Sequence, residues 1–268
     1  MKANKIFLIA FIAICFAQCS FLERIKRSSY IENGSCGLNM CMVYVEGGSY
    51  LQGNASKVTL DGFWIGECEV TQAQWYAVMG TNIQDQSIIS QRQSNEDRPL
   101  RGVGPQYPMY YVSYNDAKAF CRRLSDITGR KYDLPTEAQW EYAACGGNKS
   151  RGYKYSGSDM LSTVAWYDDN SGTSSHQVKT KKANELGIYD MSGNLREWCK
   201  DWYGESGKLE RKNPQGPKYG TARVVRGGSW RWGHYECHVG FRNFENREKE
   251  QNPNYSTSYI GFRVVCLD

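Results

Sequence analysis

Histidine is scarce in this 268-residue chain: there are three, His176, His234 and His238, and only the last two share a segment. A histidine-built metal centre or acid–base relay is therefore short of ligands. The sequence also lacks a CxxC pair to hold zinc, a GxSxG elbow to raise a serine nucleophile, and a glycine loop that would cradle phosphate. Its N-terminal apolar run, Ile6 to Ala17, falls short of the roughly 20 residues that a transmembrane helix needs. No proline-rich or low-complexity stretch divides the remainder, so the simplest count is one domain, long enough to bury most of its apolar surface in one core. There is no basic stripe for nucleic acid, because the net charge of +5 includes the lysines and arginines near the N-terminus. Lys179, Lys181 and Lys182 read as a solvated loop rather than a phosphate site.

What is present first defines the compartment. Lys2 and Lys5 precede the apolar run, the layout of a secretory signal. The run ends in Phe16-Ala17-Gln18-Cys19, which resembles a bacterial lipoprotein box. Residues 1–18 are thus expected to be a signal peptide, Cys19 the acylated first residue of the mature chain, 19–35 a tether, and 36–268 the folded domain. Acyl chains on Cys19 would hold the protein on a bacterial membrane, at the outer membrane or cell surface; plain cleavage and release is the alternative. Beyond Cys15 and Cys19, eight cysteines remain: Cys36, Cys41, Cys68, Cys121, Cys145, Cys199, Cys237 and Cys266. An even number in an exported chain predicts disulfides without fixing their pairing.

Three helices carry start and stop signals. Thr71 caps TQAQWYAVMG, which stops at Gly80, and Ser113 with Asp116 opens a helix that stops at Gly129. Pro135-Thr136 with Gln139 opens TEAQWEYAAC, closed by Gly146. Elsewhere short apolar runs alternate with turn residues, and 27 glycines punctuate the chain, so the fold class is α+β with short strands and long loops. Trp166, Trp198 and Trp202 read as packing rather than as a sugar platform.

Several long motifs now carry a resemblance. VEGGSYLQG at 45–53, FWIGECEVTQAQWYAVMG at 63–80, YVSYNDAKAFCRRLS at 111–125 and LPTEAQWEYAACGG at 134–147 look like the formylglycine-generating enzyme (sulfatase-modifying factor) family. So do NELGIYDMSGNLREWCKDWY at 184–203, RVVRGGSW at 223–230 and IGFRVV at 260–265. The resemblance implies an elaborated C-type lectin fold of short twisted sheets, two to three helices and extensive loops. In the family's oxidases two cysteines after RGGS hold copper(I), for which soft thiolates are suited ligands. Here the second position is Cys237, but the first is Trp232, whose indole has no lone pair to offer, so copper is disfavoured. By the same analogy Cys145 is a disulfide partner for Cys237. The resemblance also implies a calcium site at Asp190, Gly193, Leu195 and Glu197, oxygen ligands on a tight turn.

The tail between RGGSW and IGFR resembles the variable proteins of diversity-generating retroelements, which display changeable residues around a fixed cysteine. It mixes rigid aromatics with Asn and Ser, the composition of paratope-like surfaces, although a long solvated loop would share it. The candidate ligand-binding residues are Trp232, His234, Tyr235, His238, Phe241, Asn243, Phe244, Asn254, Tyr255, Ser256 and Tyr259. The reading is an exported, surface-anchored, noncatalytic protein that binds a protein or peptide ligand through this tail. The alternative is a copper-dependent formylglycine-generating oxidase acting through Cys237.

Overall fold

The computed structural model describes residues 29–33, 38–53, 56–94, 97–204, 211–242 and 251–268. The strands, in chain order, are β1 (Ser29–Glu32), β2 (Met40–Val45), β3 (Gly48–Gln52), β4 (Ser56–Leu60), β5 (Phe63–Gly66), β6 (Tyr132–Asp133), β7 (Arg196–Trp202), β8 (Arg211–Lys212), β9 (Arg223–Arg226), β10 (Ile260–Gly261) and β11 (Val265–Cys266). The α-helices are α1 (Gln72–Met79), α2 (Ile83–Ser94), α3 (Tyr114–Thr128), α4 (Glu137–Ala144) and a single turn, α5 (Leu161–Val164). Three sheets result, with strand orders β1-β2-β5-β11-β6, β10-β7-β9 and β3-β4-β8. The α+β class with several short sheets is as expected; the helices outnumber the two to three that the sequence signals.

Each of the three expected helices opens with a capping box. The side chains of Thr71, Ser113 and Thr136 accept the third-position backbone N–H while Gln74, Asp116 and Gln139 reach back to the cap. Helix α2 was hidden because its inward face is polar: Gln86 and Ser90 are buried beside Ile83, so no apolar period marks it. Its start was nonetheless written in the sequence, since Asn82 and Asp85 exchange side-chain-to-backbone hydrogen bonds of 2.9 and 3.0 Å. Strand β1 corrects the expected tether, for residues 29–32 pair antiparallel with β2 at Tyr30↔Met42. Tyr30 also packs edge-on against Trp64 at 4.8 Å.

The sheets are held by two apolar clusters and a set of buried arginines. Trp75 stacks on Phe120 with Phe262 edge-on to both in one cluster, and Val45, Ile65, Trp140 and Val224 fill the other. Between sheets, Arg263 donates Nε and Nη2 to the two oxygens of Glu197, each at 2.7 Å, with both residues fully buried. Its remaining donors reach the carbonyls of Gly66 at 3.0 Å and Tyr189 at 2.9 Å. A buried pair of this kind is tolerable only because nearly every donor finds an acceptor.

Asp201 on β7 accepts the Glu137 N–H at the start of α4 at 2.8 Å. Burial, then repulsion from Glu137, pushes its carboxyl up from 3.8 to about 7. Because the folded state holds this proton more tightly than the unfolded chain, the group's contribution to stability falls between about pH 4 and pH 7 and is constant above. Asp201→Asn keeps an acceptor at the helix start but cannot ionise. Thermal unfolding from pH 4.5 to 8 should show the variant gaining on the parent by up to about 3 kcal/mol as pH rises. Parallel pH profiles for the two proteins would contradict the assignment.

Candidate functional site

The site begins at the end of β9. Gly227 and Gly228 have φ of 101° and 70°, a backbone region that side chains rarely adopt. A Cβ on Gly228 would sit 2.7 Å from the Cys237 Sγ, so the glycine lets the following loop fold directly onto the strand. Trp230 is then buried, its indole donating to the Ser258 carbonyl at 3.0 Å. Residues His234–Cys237 form one 3-10 turn. Cys237 is 0 % exposed and packs with Tyr155, Leu161, Val164 and Ala165. Burial first, and then the charges of Glu236 and Asp168, push its thiol up to about 12. A thiol so placed is not a reactive one.

Buried charge fixes the loop from beneath. Arg226 donates to the carbonyls of Phe241 at 2.7 Å and Val239 at 2.9 Å while its guanidinium pairs with Glu141. Arg196 pairs with Glu236 on the 3-10 turn, and Arg242 donates to Glu137 at 2.8 Å. Val239 N–H reaches the Lys154 carbonyl at 3.2 Å, joining the tail to the loop at 150–154.

Above this frame lies a cavity of about 590 Å³ framed by Leu51, Tyr153, Lys154, Tyr235, His238 and Phe241. Tyr235 is 61 % exposed and meets the Phe241 ring edge-on at 5.2 Å. His238 accepts the Gly240 N–H on Nδ1 at 3.0 Å, so the neutral ring carries its proton on Nε2. Burial, with the charges of Lys154 and Arg226, lowers its pKa and keeps the ring neutral.

The tail residues picked out from sequence divide. Tyr235, His238 and Phe241 converge on the cavity, and His234 is exposed on the same turn. Trp232 is half-buried between the guanidinium groups of Arg196 at 5.4 Å and Arg231 at 5.6 Å. Asn254 and Tyr255 lie apart from the cavity, where Asn115 donates to the Asn254 side chain at 2.7 Å and Arg98 sits 5.9 Å from the Tyr255 ring. Ser256 and Tyr259, each 5 % exposed, are framework rather than ligand contacts. Ser256 hydrogen-bonds Ser90 at 2.6 Å, and Tyr259 packs in the first core cluster with its carbonyl accepting from Arg196 N–H at 3.0 Å. Asn243, Phe244, Cys19 and Cys36 lie outside the described residues. Leu51, Tyr153 and Lys154 carried no local signal, because only the fold brings β3 and the loop after α4 to the tail.

The metal and disulfide expectations meet this geometry unequally. For copper the first ligand position is an indole and the second a buried thiol, so the residues do not fit. For calcium, both Glu197 oxygens are taken by Arg263, and the Trp140 indole donates to one of them at 2.8 Å. The Asp190 Oδ1 and Glu69 Oε2 oxygens are buried without partners, yet no group of three or more His, Cys, Asp or Glu side chains able to hold a metal occurs among the described residues. The Arg263 guanidinium already supplies positive charge to this acidic cluster, and Glu197 does not fit as a calcium ligand. The seven described cysteines are free thiols. Cys237 faces Gly228 and the small cluster around Tyr155, whereas Cys145 ends α4 against the second core and borders the cavity, so the expected Cys145–Cys237 bridge is absent. Of the tryptophans read as packing, Trp198 is fully buried, while Trp166 and Trp202 are half-buried: Trp166 stacks on His176 at 3.7 Å with Lys181 3.9 Å from its ring, and Arg223 lies 3.3 Å from the Trp202 ring.

Comparison with known proteins agrees with this architecture. The model of the sulfatase-modifying factor enzyme 1-like domain matches residues 32–267. The chain is 32 % identical over 252 residues to chaperone protein LppX of Paenibacillus barcinonensis, covering 74 % of this chain and 81 % of that protein. It is 35 % identical over 178 residues to the formylglycine-generating enzyme of Streptomyces coelicolor, covering 60 % of this chain and 53 % of the enzyme, about half its length. The solved structure of Treponema denticola variable protein 1 aligns with a TM-score of 0.75 at 29 % identity, over 90 % of this chain and 99 % of that one. With a family match that runs from β1 to the last strand, the chain belongs to the sulfatase-modifying factor enzyme 1-like domain family.

Proposed function

We propose that this protein is a noncatalytic binding protein, exported and lipid-anchored through Cys19, whose site is the aromatic cavity at Tyr235, His238 and Phe241. The observation that carries the reading is the contrast on one turn: Tyr235 stands 61 % exposed at a cavity while Cys237, two residues on, is 0 % exposed. An oxidase of the family needs the reverse, two accessible thiolates, and Trp232 occupies the first of those positions. The likeness to Treponema denticola variable protein 1 over nearly the whole chain supports the same reading. The ligand is a protein or peptide, and exchange of the outward side chains on the fixed loop changes what is bound.

Affinity is expected to rest on a few aromatic anchors. Against a binder selected from a displayed peptide library, Tyr235→Ala with Phe241→Ala should weaken binding by on the order of a hundredfold or more, with the circular dichroism spectrum unchanged. Unchanged affinity in the double variant would remove the cavity from the account. In the oxidase assay, copper(I) and a cysteine-bearing peptide should produce no oxygen consumption above the protein-free control. Consumption that disappears in Cys237→Ala would establish the enzyme instead. For the anchor, metabolic labelling with a radioactive fatty acid should mark the parent chain and spare Cys19→Ser; equal labelling would place the anchor elsewhere, and none would mean plain release.

A further inference from the structure

The cavity has an apolar rim and a basic corner. Leu51, Tyr235 and Phe241 supply the rim, and Leu51 is itself 60 % exposed, an apolar side chain left open to solvent beside the aromatic pair. Lys154 and His238 form the corner. Their segments are tied by the Val239 N–H to Lys154 carbonyl bond, and they are near enough for the ammonium to depress the histidine's pKa.

The cavity holds charge of both signs, the ammonium of Lys154 and the carboxylates of Glu141 and Asp159. The Glu141 carboxylate is taken up by Arg226 and by the Gly53 N–H at 3.0 Å, and Asp159 accepts the Lys154 backbone N–H at 2.8 Å. Lys154 is exposed and forms no ion pair among the described residues. Gly240 occupies Nδ1 of His238, so Nε2–H is a donor without an acceptor among the described residues. The Lys154 ammonium, 5.4 Å from the Tyr155 ring centroid and without an ion pair among the described residues, and the His238 N–H donor beside apolar walls make a receptor for an anion that carries a bulky apolar group.

Resting on the binding reading above, we propose that the cavity recognises a peptide carboxylate adjacent to an aromatic or branched apolar side chain. The carboxylate pairs with Lys154 and accepts from His238 Nε2–H, while the apolar side chain packs between Tyr235, Phe241 and Leu51. Charge-assisted hydrogen bonds of this kind are stronger than neutral ones and give orientation as well as affinity. The carboxylate comes either from a chain terminus or from an Asp or Glu side chain, and the test separates them.

The experiment titrates the purified full chain with three probes by NMR or calorimetry: N-acetyl-phenylalanine, its amide, and N-acetyl-aspartyl-phenylalaninamide. A terminal carboxylate site prefers the first probe to its amide by about tenfold, and a side-chain carboxylate site prefers the third to that amide by about as much. The preference should weaken with added salt, survive in Lys154→Arg and collapse to within about twofold in Lys154→Gln. Equal binding of all three probes, or no binding of any probe, overturns the carboxylate proposal. Tyr235→Ala with Phe241→Ala should abolish binding of all three; if that variant binds them unchanged, the cavity reading has failed as well, a result distinct from loss of the acid preference alone.

Discussion

A buried guanidinium organises this molecule. Arg226 ends β9 inside the protein, where an unpaired charge would be prohibitively unfavourable; its buried Nε has no hydrogen-bond partner among the described residues, so its two terminal nitrogens must find acceptors nearby. They find Glu141 on α4 and the carbonyls of Val239 and Phe241 on the tail. A strand, a helix and a loop that share no regular pairing are thereby fixed to one another. Arg196 with Glu236 and Arg242 with Glu137 repeat the device at neighbouring points of the same loop, and Arg263 with Glu197 repeats it between sheets. The consequence for function is a division of labour within about ten residues. Backbone carbonyls and the side chains of Glu236, Cys237 and Val239 face inward and hold the loop, whereas His234 and Tyr235 are exposed.

The same geometry supports the proposed binding role within a family whose relatives include formylglycine-generating enzymes. The RGG turn packs Gly228 so closely on Cys237 that the sulfur is sealed beneath the loop it stabilises. A thiol in that position contributes volume to a small apolar cluster and offers neither a ligand nor a nucleophile to anything in the cavity. What reaches the cavity from the loop is Tyr235, His238 and Phe241, whose rings provide contact area with few rotatable bonds.

The sequence made some of this legible and hid the rest for identifiable reasons. Capping boxes located α1, α3 and α4 because they are local chemistry, an oxygen and an N–H three residues apart. Helix α2 carries the same signal at Asn82 and Asp85, but its buried face includes Gln86 and Ser90, which hydrophobic periodicity ignores. Tail composition marked Tyr235, His238 and Phe241 without separating them from Ser256 and Tyr259, because orientation at a loop-to-strand junction depends on what packs beneath it. Leu51 and Lys154 join the site through tertiary contact alone. Cysteine parity predicted disulfides that the described residues do not form: Cys121, Cys199, Cys237 and Cys266 are instead buried in the apolar clusters as small apolar side chains.

The measurement that bears most directly on the division between frame and site is sequencing of the codons for residues 223–266 across isolates, together with the DNA just downstream of the gene. The account predicts differences concentrated at Trp232, His234, Tyr235, His238 and Phe241, with Arg226, Gly228, Glu236, Cys237 and Arg263 unchanged, and a nearby imperfect copy differing mainly where it carries adenine. Substitutions spread evenly over inward and outward positions, or an invariant tail with no such copy, would contradict it.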